Sequence, residues 1–192
     1  MTTARRGFEA NHALGDAEAL AAVRHGELSA LGLIYDRHHA KVLGFLIRAT
    51  GSRPDAEDLL QATFVTAARA ANSYDGRESC LPWLLGIAGR LAYRHRRGLS
   101  RLHRALVRLH STEPPETWDP ARQLGARDRL ADVALALERV SERKRIVLLL
   151  ADVEGLSGEE IAQALDIPIG TVWTRLHHAR SELRRLTRER EP

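Results

Sequence analysis

Cysteine is almost missing from this 192-residue chain: Cys80 stands alone, so an intrachain disulfide, a zinc finger and a Cys-x-x-Cys redox pair are all excluded. Lysine is scarce as well, occurring only at Lys41 and Lys144, so arginine supplies nearly all the positive charge behind a net +4. Arginine's planar donor fork suits phosphate and guanine edges better than an ammonium does. A GC-rich genome also raises arginine content, so composition alone leaves both explanations open. No apolar run reaches the roughly eighteen residues of a membrane span. The first thirty residues carry Arg5, Arg6, Glu9, Asp16 and Glu18 where a secretory signal needs an apolar stretch, which gives the expectation of a cytoplasmic protein without membrane insertion. Alternating strand patterns are absent too, and the 44% hydrophobic content is distributed for helices.

What is present reads as an all-α fold of two small helical domains. Leu31, Ile34, Tyr35, His38, Val42, Phe45, Leu46 and Ala49 recur at three-four spacing, and that helix stops near Gly51. Ser52 and Asp55 resemble a capping box opening a second helix with Leu59, Leu60, Thr63, Phe64, Ala67 and Ala71 on its apolar face. Asn72 to Gly76 ends it in a turn. A third helix begins near Pro82, which a first turn tolerates, and buries Trp83, Leu84, Ile87 and Leu91. Pro114, Pro115 and Pro120 then bar any helix from crossing the Thr112 to Pro120 stretch, which implies a linker with few contacts across it.

Two surfaces of the first half carry opposite charge. Arg90, Arg94, Arg97 and Arg101 follow one side of the third helix, and no acidic residue occurs between Glu78 and Glu113. A solvated helix face normally mixes both signs, so this ridge points to nucleic acid. Asp55, Glu57, Asp58 and Gln61 form an acidic patch, although carboxylates in a helix's first turn favour the macrodipole without any partner.

A helix-turn-helix is expected from about Ser157 to Leu186. Ser157 and Glu160 make a capping box, Ile161 and Leu165 face inward, and the turn runs from Asp166 to Gly170. Thr171 is expected to cap a longer helix with Val172, Leu176, Ala179, Leu183 and Leu186 along its buried face. Such a motif inserts the N-terminal part of its second helix into the major groove, so Thr171, Trp173, Thr174, Arg175, His177 and His178 are the candidates for DNA contact. The preceding helix, Ser141 to Val153, would pack across the pair.

Together these stretches resemble the extracytoplasmic-function (ECF) sigma factors of bacterial RNA polymerase, which keep only the second and fourth conserved regions. In the first half the resemblance rests on Asp55-Ala-Glu-Asp-Leu-Leu-Gln-Ala-Thr-Phe64, Tyr74-Asp-Gly-Arg77, Pro82-Trp-Leu-Leu-Gly-Ile-Ala88 and His95-Arg-Arg97. In the second it rests on Ser141-Glu-Arg143, Val147-Leu-Leu-Leu150, Glu154-Gly-Leu-Ser157, Glu159-Glu-Ile-Ala162, Ile167-Pro-Ile-Gly-Thr-Val172, Arg175-Leu-His177 and Ala179-Arg180. It implies an N-terminal extension at 1–27, a region 2-like domain at 28–98, a linker at 99–126, a region 4-like domain at 127–188 and a tail at 189–192. Asp55, Asp58 and Gln61 would grip the clamp helices of the polymerase β′ subunit, with the β subunit as a further contact. The turn with Asn72, Ser73, Tyr74, Asp75 and Arg77 would capture a flipped base of the minus-ten element, and Arg90, Arg94 and Arg97 would hold that element. The helix-turn-helix would read the minus-thirty-five element. Many family members are also held by an anti-sigma protein, which brings in that class of partner.

Three positions depart from the family pattern: Trp173 stands where a lysine or arginine is frequent, Asp166 replaces a turn glycine, and Cys80 takes a place often held by phenylalanine. Asp tolerates a left-handed turn better than most residues. Rival readings are weaker. A diiron centre would need the Glu9–His12 spacing twice and it occurs once. No triad order, phosphate loop or zincin motif is found, so neither enzyme activity nor a cofactor or metal is expected. A ligand-sensing helix-turn-helix repressor or activator would need an apolar pocket in the first half, where the sequence instead places charge.

Overall fold

The computed structural model describes residues 14–109 and 128–188, with side chains described at 14–98 and 133–188. The described residues form eight α-helices: α1 (Asp16–Arg24), α2 (Ser29–Thr50), α3 (Arg53–Arg69), α4 (Leu81–Leu109), α5 (Asp128–Arg139), α6 (Glu142–Leu148), α7 (Gly158–Leu165) and α8 (Ile169–Arg188). Among the described residues no strand occurs and no helix is long and apolar enough to cross a membrane. Glu9 and His12 lie outside them.

Local chemistry sets the helix ends in the first half. Gly51 ends α2 in the left-handed conformation that a side chain resists, at φ 72°. Ser52 caps α3, its hydroxyl accepting from the Asp55 N–H at 3.3 Å. Ile34, Val42, Phe45 and Leu46 of α2 meet Leu60 and Phe64 of α3 and Leu84, Leu85 and Ile87 of α4 in one dry core. Tyr35 departs from the expected stripe: it stays 39% exposed, stacking on His39 and meeting Phe64 edge-on.

The segment read as an N-terminal extension contributes a helix of its own. Ala19, Leu20 and Val23 bury the inner face of α1 against this core. α4 also differs from expectation, since it passes Leu99 and continues to Leu109.

In the second half, α6 runs on into a turn of π-helix, Leu149–Val153, and its Ile146, Val147, Leu149 and Leu150 are buried. Arg145 is buried among them; its Nη2 donates to the carbonyls of Glu138 and Val140, at 3.4 and 3.3 Å, at the end of α5. Burial lowers its pKa to about 10, the Arg96 charge adding to the effect. Ser157 and Glu160 complete both bonds of the capping box that opens α7. Asp166 ends α7 at φ 55°, the one positive φ among described non-glycine residues. The expected Thr171 cap is corrected: α8 starts at Ile169, and the Pro168 carbonyl accepts from the N–H groups of Thr171 and Val172. Proline's fixed φ suits that place, so the helix begins earlier.

The linker prolines suggested few contacts between the halves, and the structure corrects this. α4 packs directly on α7, and α2 and α4 also meet α6. A proline-rich sequence between two domains sets the reach of their connection and leaves open whether their surfaces fit.

Candidate nucleic-acid and polymerase interfaces

On α3, Asp58 and Gln61 are exposed one turn apart, and Val65 continues their stripe as an exposed apolar side chain. Sequence reading passed over Val65, although its spacing from Gln61 could have flagged it. Asp55 is set apart from this pair. It is partly buried, and its Oδ2 lies 3.3 Å from Nε2 of His95 on α4.

The turn after α3 is held from inside. Tyr74 is buried, its ring tilted against Trp83 at a centroid distance of 5.4 Å and its hydroxyl donating to the Arg77 carbonyl. Burial, followed by the nearby Cys80 thiol and Asp16 and Asp75 carboxylates, pushes its pKa up to about 12. Tyr74 therefore shapes the turn, while Asn72, Ser73, Asp75 and Arg77 are exposed around it. Arg77 Nε donates to Asp75 Oδ2 at 2.8 Å.

A buried carboxylate braces this turn from beneath. Asp16, at the start of α1, accepts from the Cys80 backbone N–H at 2.9 Å, contacts His38 Nε2 at 2.7 Å and accepts from Arg37 at 3.1 Å. Burial raises its pKa, but the Cys80 N–H, His38 and Arg37 together outweigh it and leave it below the ordinary value. Asp16, His38 and Cys80 are the one group among the described residues with metal-ligand types close together. Asp16 is already satisfied by three donors, one of them a cation, so the trio reads as a structural brace. The Cys80 thiol is fully buried, which pushes its pKa up and leaves it inert. Asp16 escaped sequence reading because its partners lie on distant segments.

The arginine ridge divides in two. Arg94 and Arg97 are exposed, as expected. Arg90 differs from them in exposure: it is half-buried and its Nη1 donates to the Ala164 carbonyl of α7. Burial, reinforced by Arg94, lowers its pKa. Gln163 reaches the same region, its amide donating to Asp75 Oδ2 at 3.0 Å and its oxygen accepting from Arg77. A cleft of about 470 Å³ remains between the halves, walled by Trp83, Arg90 and Arg94 on one side and Glu160, Gln163 and Asp166 on the other. Its charged walls differ from the apolar pocket that a small-molecule sensor needs.

On α8, Thr174, His177 and His178 are exposed, the two imidazoles meeting edge-on at 5.6 Å. Thr174 Oγ1 donates to the Gly170 carbonyl at 2.8 Å. Trp173 is half-exposed and Thr171 partly buried at the helix start. Arg175 is partly buried and turns from this face toward the other half, beside Arg143 and Tyr93, where burial lowers its pKa. Below the exposed stretch, His177, Ser181, Arg184, Arg185 and Arg188 line a basic groove.

Residues 34–102 match the family described as Sigma-70 region 2, and residues 130–183 match Sigma-70, region 4. The RNA polymerase sigma factor CarQ of Myxococcus xanthus is 34% identical over 172 residues, covering 88% of this chain and 95% of that protein. The ECF RNA polymerase sigma factor SigM of Mycobacterium tuberculosis strain H37Rv is 32% identical over 181 residues, covering 94% of this chain and 88% of that protein. Among solved structures, CnrH in complex with the cytosolic domain of CnrY superposes with a TM-score of 0.63 at 26% identity, covering 92% of this chain and 99% of that one. The sigma factor RpoE of Bartonella quintana, in complex with the anti-sigma factor NepR, shares the fold with a TM-score of 0.61 at 24% identity, covering 88% of this chain and 99% of that one.

Proposed function

This chain belongs to the ECF sigma factors, and from that premise we propose how its surfaces divide the work of starting transcription. The chain binds core RNA polymerase and directs promoter recognition, DNA melting and initiation. Its partners are core polymerase, through the β′ clamp helices and the β subunit, and promoter DNA, with an anti-sigma protein as the regulatory class. It works as a non-enzymatic factor in the cytoplasm, and polymerase supplies the chemistry.

Asp58 and Gln61 dock on the clamp helices, with Val65 giving the contact an apolar end. Asp55 supports them through His95. The turn of Asn72, Ser73, Asp75 and Arg77, shaped by buried Tyr74, receives a minus-ten base removed from the stack. Extrusion costs a few kcal/mol, which a formed pocket returns through stacking and hydrogen bonds. Arg94 and Arg97 hold the strand's phosphates, and Arg90 joins them when it is free of Ala164. α8 enters the major groove at the minus-thirty-five element. Thr174, His177 and His178 face the base edges there, Trp173 offers apolar contact to a thymine methyl or a sugar, and Thr171 meets the backbone.

The observation that carries this reading is the pairing, on one chain, of an exposed acidic and amide stripe on α3 with an exposed polar face on the second helix of a helix-turn-helix. The test is run-off transcription with core polymerase and this protein on genomic fragments, followed by mapping of transcript starts. Starts sharing two upstream elements are expected. Core polymerase that gains no new starts would overturn the reading.

A further inference from the structure

Ile169 and Trp173 stand one turn apart at the start of α8, 41% and 51% exposed, and His177 continues their stripe one turn further on. A half-exposed indole is stabilised when it is covered. One edge of the ring rests on Gly158 of α7, so its orientation is fixed before anything binds and little ordering is left to the binding step. Gly170, next to Ile169, is exposed as well, and a Cβ there would meet nothing within 4 Å. Packing within the chain therefore does not call for glycine at this place, and the bare backbone admits close approach from outside.

Charge on the same face selects the occupant. His177, Ser181 and Arg184 carry the stripe into a basic groove. Glu182, the one carboxylate of α8, is paired with Lys144 at 2.7 Å. An apolar partner surface would leave that groove unmatched, whereas a DNA duplex matches both parts, its phosphates meeting the groove and its base edges the apolar turns. Within the major groove the apolar group on a base edge is the C5 methyl of thymine. A lysine or arginine at position 173 would hold a phosphate of any sequence, but an indole there gains where a methyl group meets it. Helical rise separates Ile169 and Trp173 by about 6 Å along the axis, close to two base-pair steps of about 3.4 Å each.

We propose that Ile169 and Trp173 form a thymine-methyl reader, so that this chain selects minus-thirty-five elements carrying thymines at two positions about two base pairs apart. This rests on the promoter-reading role given above, and it commits Trp173 to the base edge over the sugar. The test uses holoenzyme reconstituted from core polymerase and the full-length chain, with a duplex promoter mapped by the run-off experiment. Each thymine of the minus-thirty-five element, on either strand, is replaced in turn by deoxyuridine, which pairs identically and lacks the methyl group alone. Competition binding gives the affinity of each duplex for holoenzyme made with the wild-type chain, Trp173→Ala, Ile169→Ala or Trp173→Arg.

Wild-type holoenzyme is expected to lose affinity about fourfold at each of two positions, the equivalent of uncovering one methyl group. Trp173→Ala should abolish the loss at one of them and Ile169→Ala at the other. Trp173→Arg should abolish its loss too, and should steepen the salt dependence by about one phosphate contact. Should Trp173→Ala misfold by circular dichroism, Ile169→Ala and Trp173→Arg carry the comparison. Unchanged affinity on every deoxyuridine duplex overturns the methyl reading, as do losses that persist in all three variants, and promoter reading by α8 stands in either case. Wild-type holoenzyme that binds the mapped duplex no better than one with a scrambled minus-thirty-five element would instead remove the promoter-reading role.

Discussion

The Trp173 indole covers Gly158, the first residue of α7, so closely that a Cβ there would stand 2.5 Å from a ring carbon. This contact locks the start of one helix of the helix-turn-helix to the first turn of the other. Gly158→Ala is expected to cost about 1 to 3 kcal/mol of stability through overpacking and to weaken minus-thirty-five binding. Adding Trp173→Ala should recover most of the stability loss, because the ring creates the conflict. Thermal melts of the single and double variants form the cycle that checks it. Additive losses would show that the two residues are independent.

For the clamp surface, Asp58→Arg with Gln61→Ala should abolish assembly with core polymerase while leaving the melting temperature nearly unchanged. Both positions are exposed, and surface changes away from packing usually stay within about 0.5 kcal/mol. Size-exclusion co-elution with core enzyme is the measurement. Normal co-elution of the double variant would sink the clamp assignment.

Exposure separates the α8 residues into two kinds. Thr174→Ala or His177→Ala should cost on the order of 1 to 3 kcal/mol at the cognate minus-thirty-five element and little on others. Arg175→Ala, facing the other half, should leave that selectivity unchanged. Holoenzyme binding across a panel of minus-thirty-five variants distinguishes these outcomes, and a uniform loss for Thr174→Ala would remove it from the base-reading set.

Asp16 gives a pH-dependent prediction. Its folded pKa lies below the ordinary value of 3.8, so its contribution is fully present above that pH and is lost as pH falls through the folded pKa. Asp16→Asn should destabilise the chain by about 1 to 3 kcal/mol near neutral pH, since it breaks a buried paired network. Urea unfolding of both proteins across pH should show a constant gap that narrows only below about pH 4. A gap that closes well above that pH would remove the Asp16 carboxylate as its cause.

Periodicity made α2, α3, α4 and α8 readable, because each buries a regularly spaced apolar face in the core. Motif order made the polymerase and promoter surfaces readable as a family pattern. α1 was missed, its short apolar set of Ala19, Leu20 and Val23 lying beside charged residues that fitted a solvated extension. Arg90 and Arg175 share their helical spacing with exposed neighbours, yet each is drawn toward a surface contributed by the other half. Spacing reports which way a residue faces on its own helix and carries no information about what later packs there. Gly86 and Gly89 mark where the other half approaches, since a Cβ at Gly86 would meet Ala164 and one at Gly89 would meet Ile146 and Leu165.

Those two glycines also bear on how the chain tolerates change. A side chain at Gly86 would meet the Ala164 carbonyl at 2.4 Å and one at Gly89 would meet Ile146 at 3.1 Å, so either substitution pushes α4 against α7 or α6. Strain entered at one position on α4 is therefore shared by both halves, and a single residue can disturb two surfaces that the sequence places far apart.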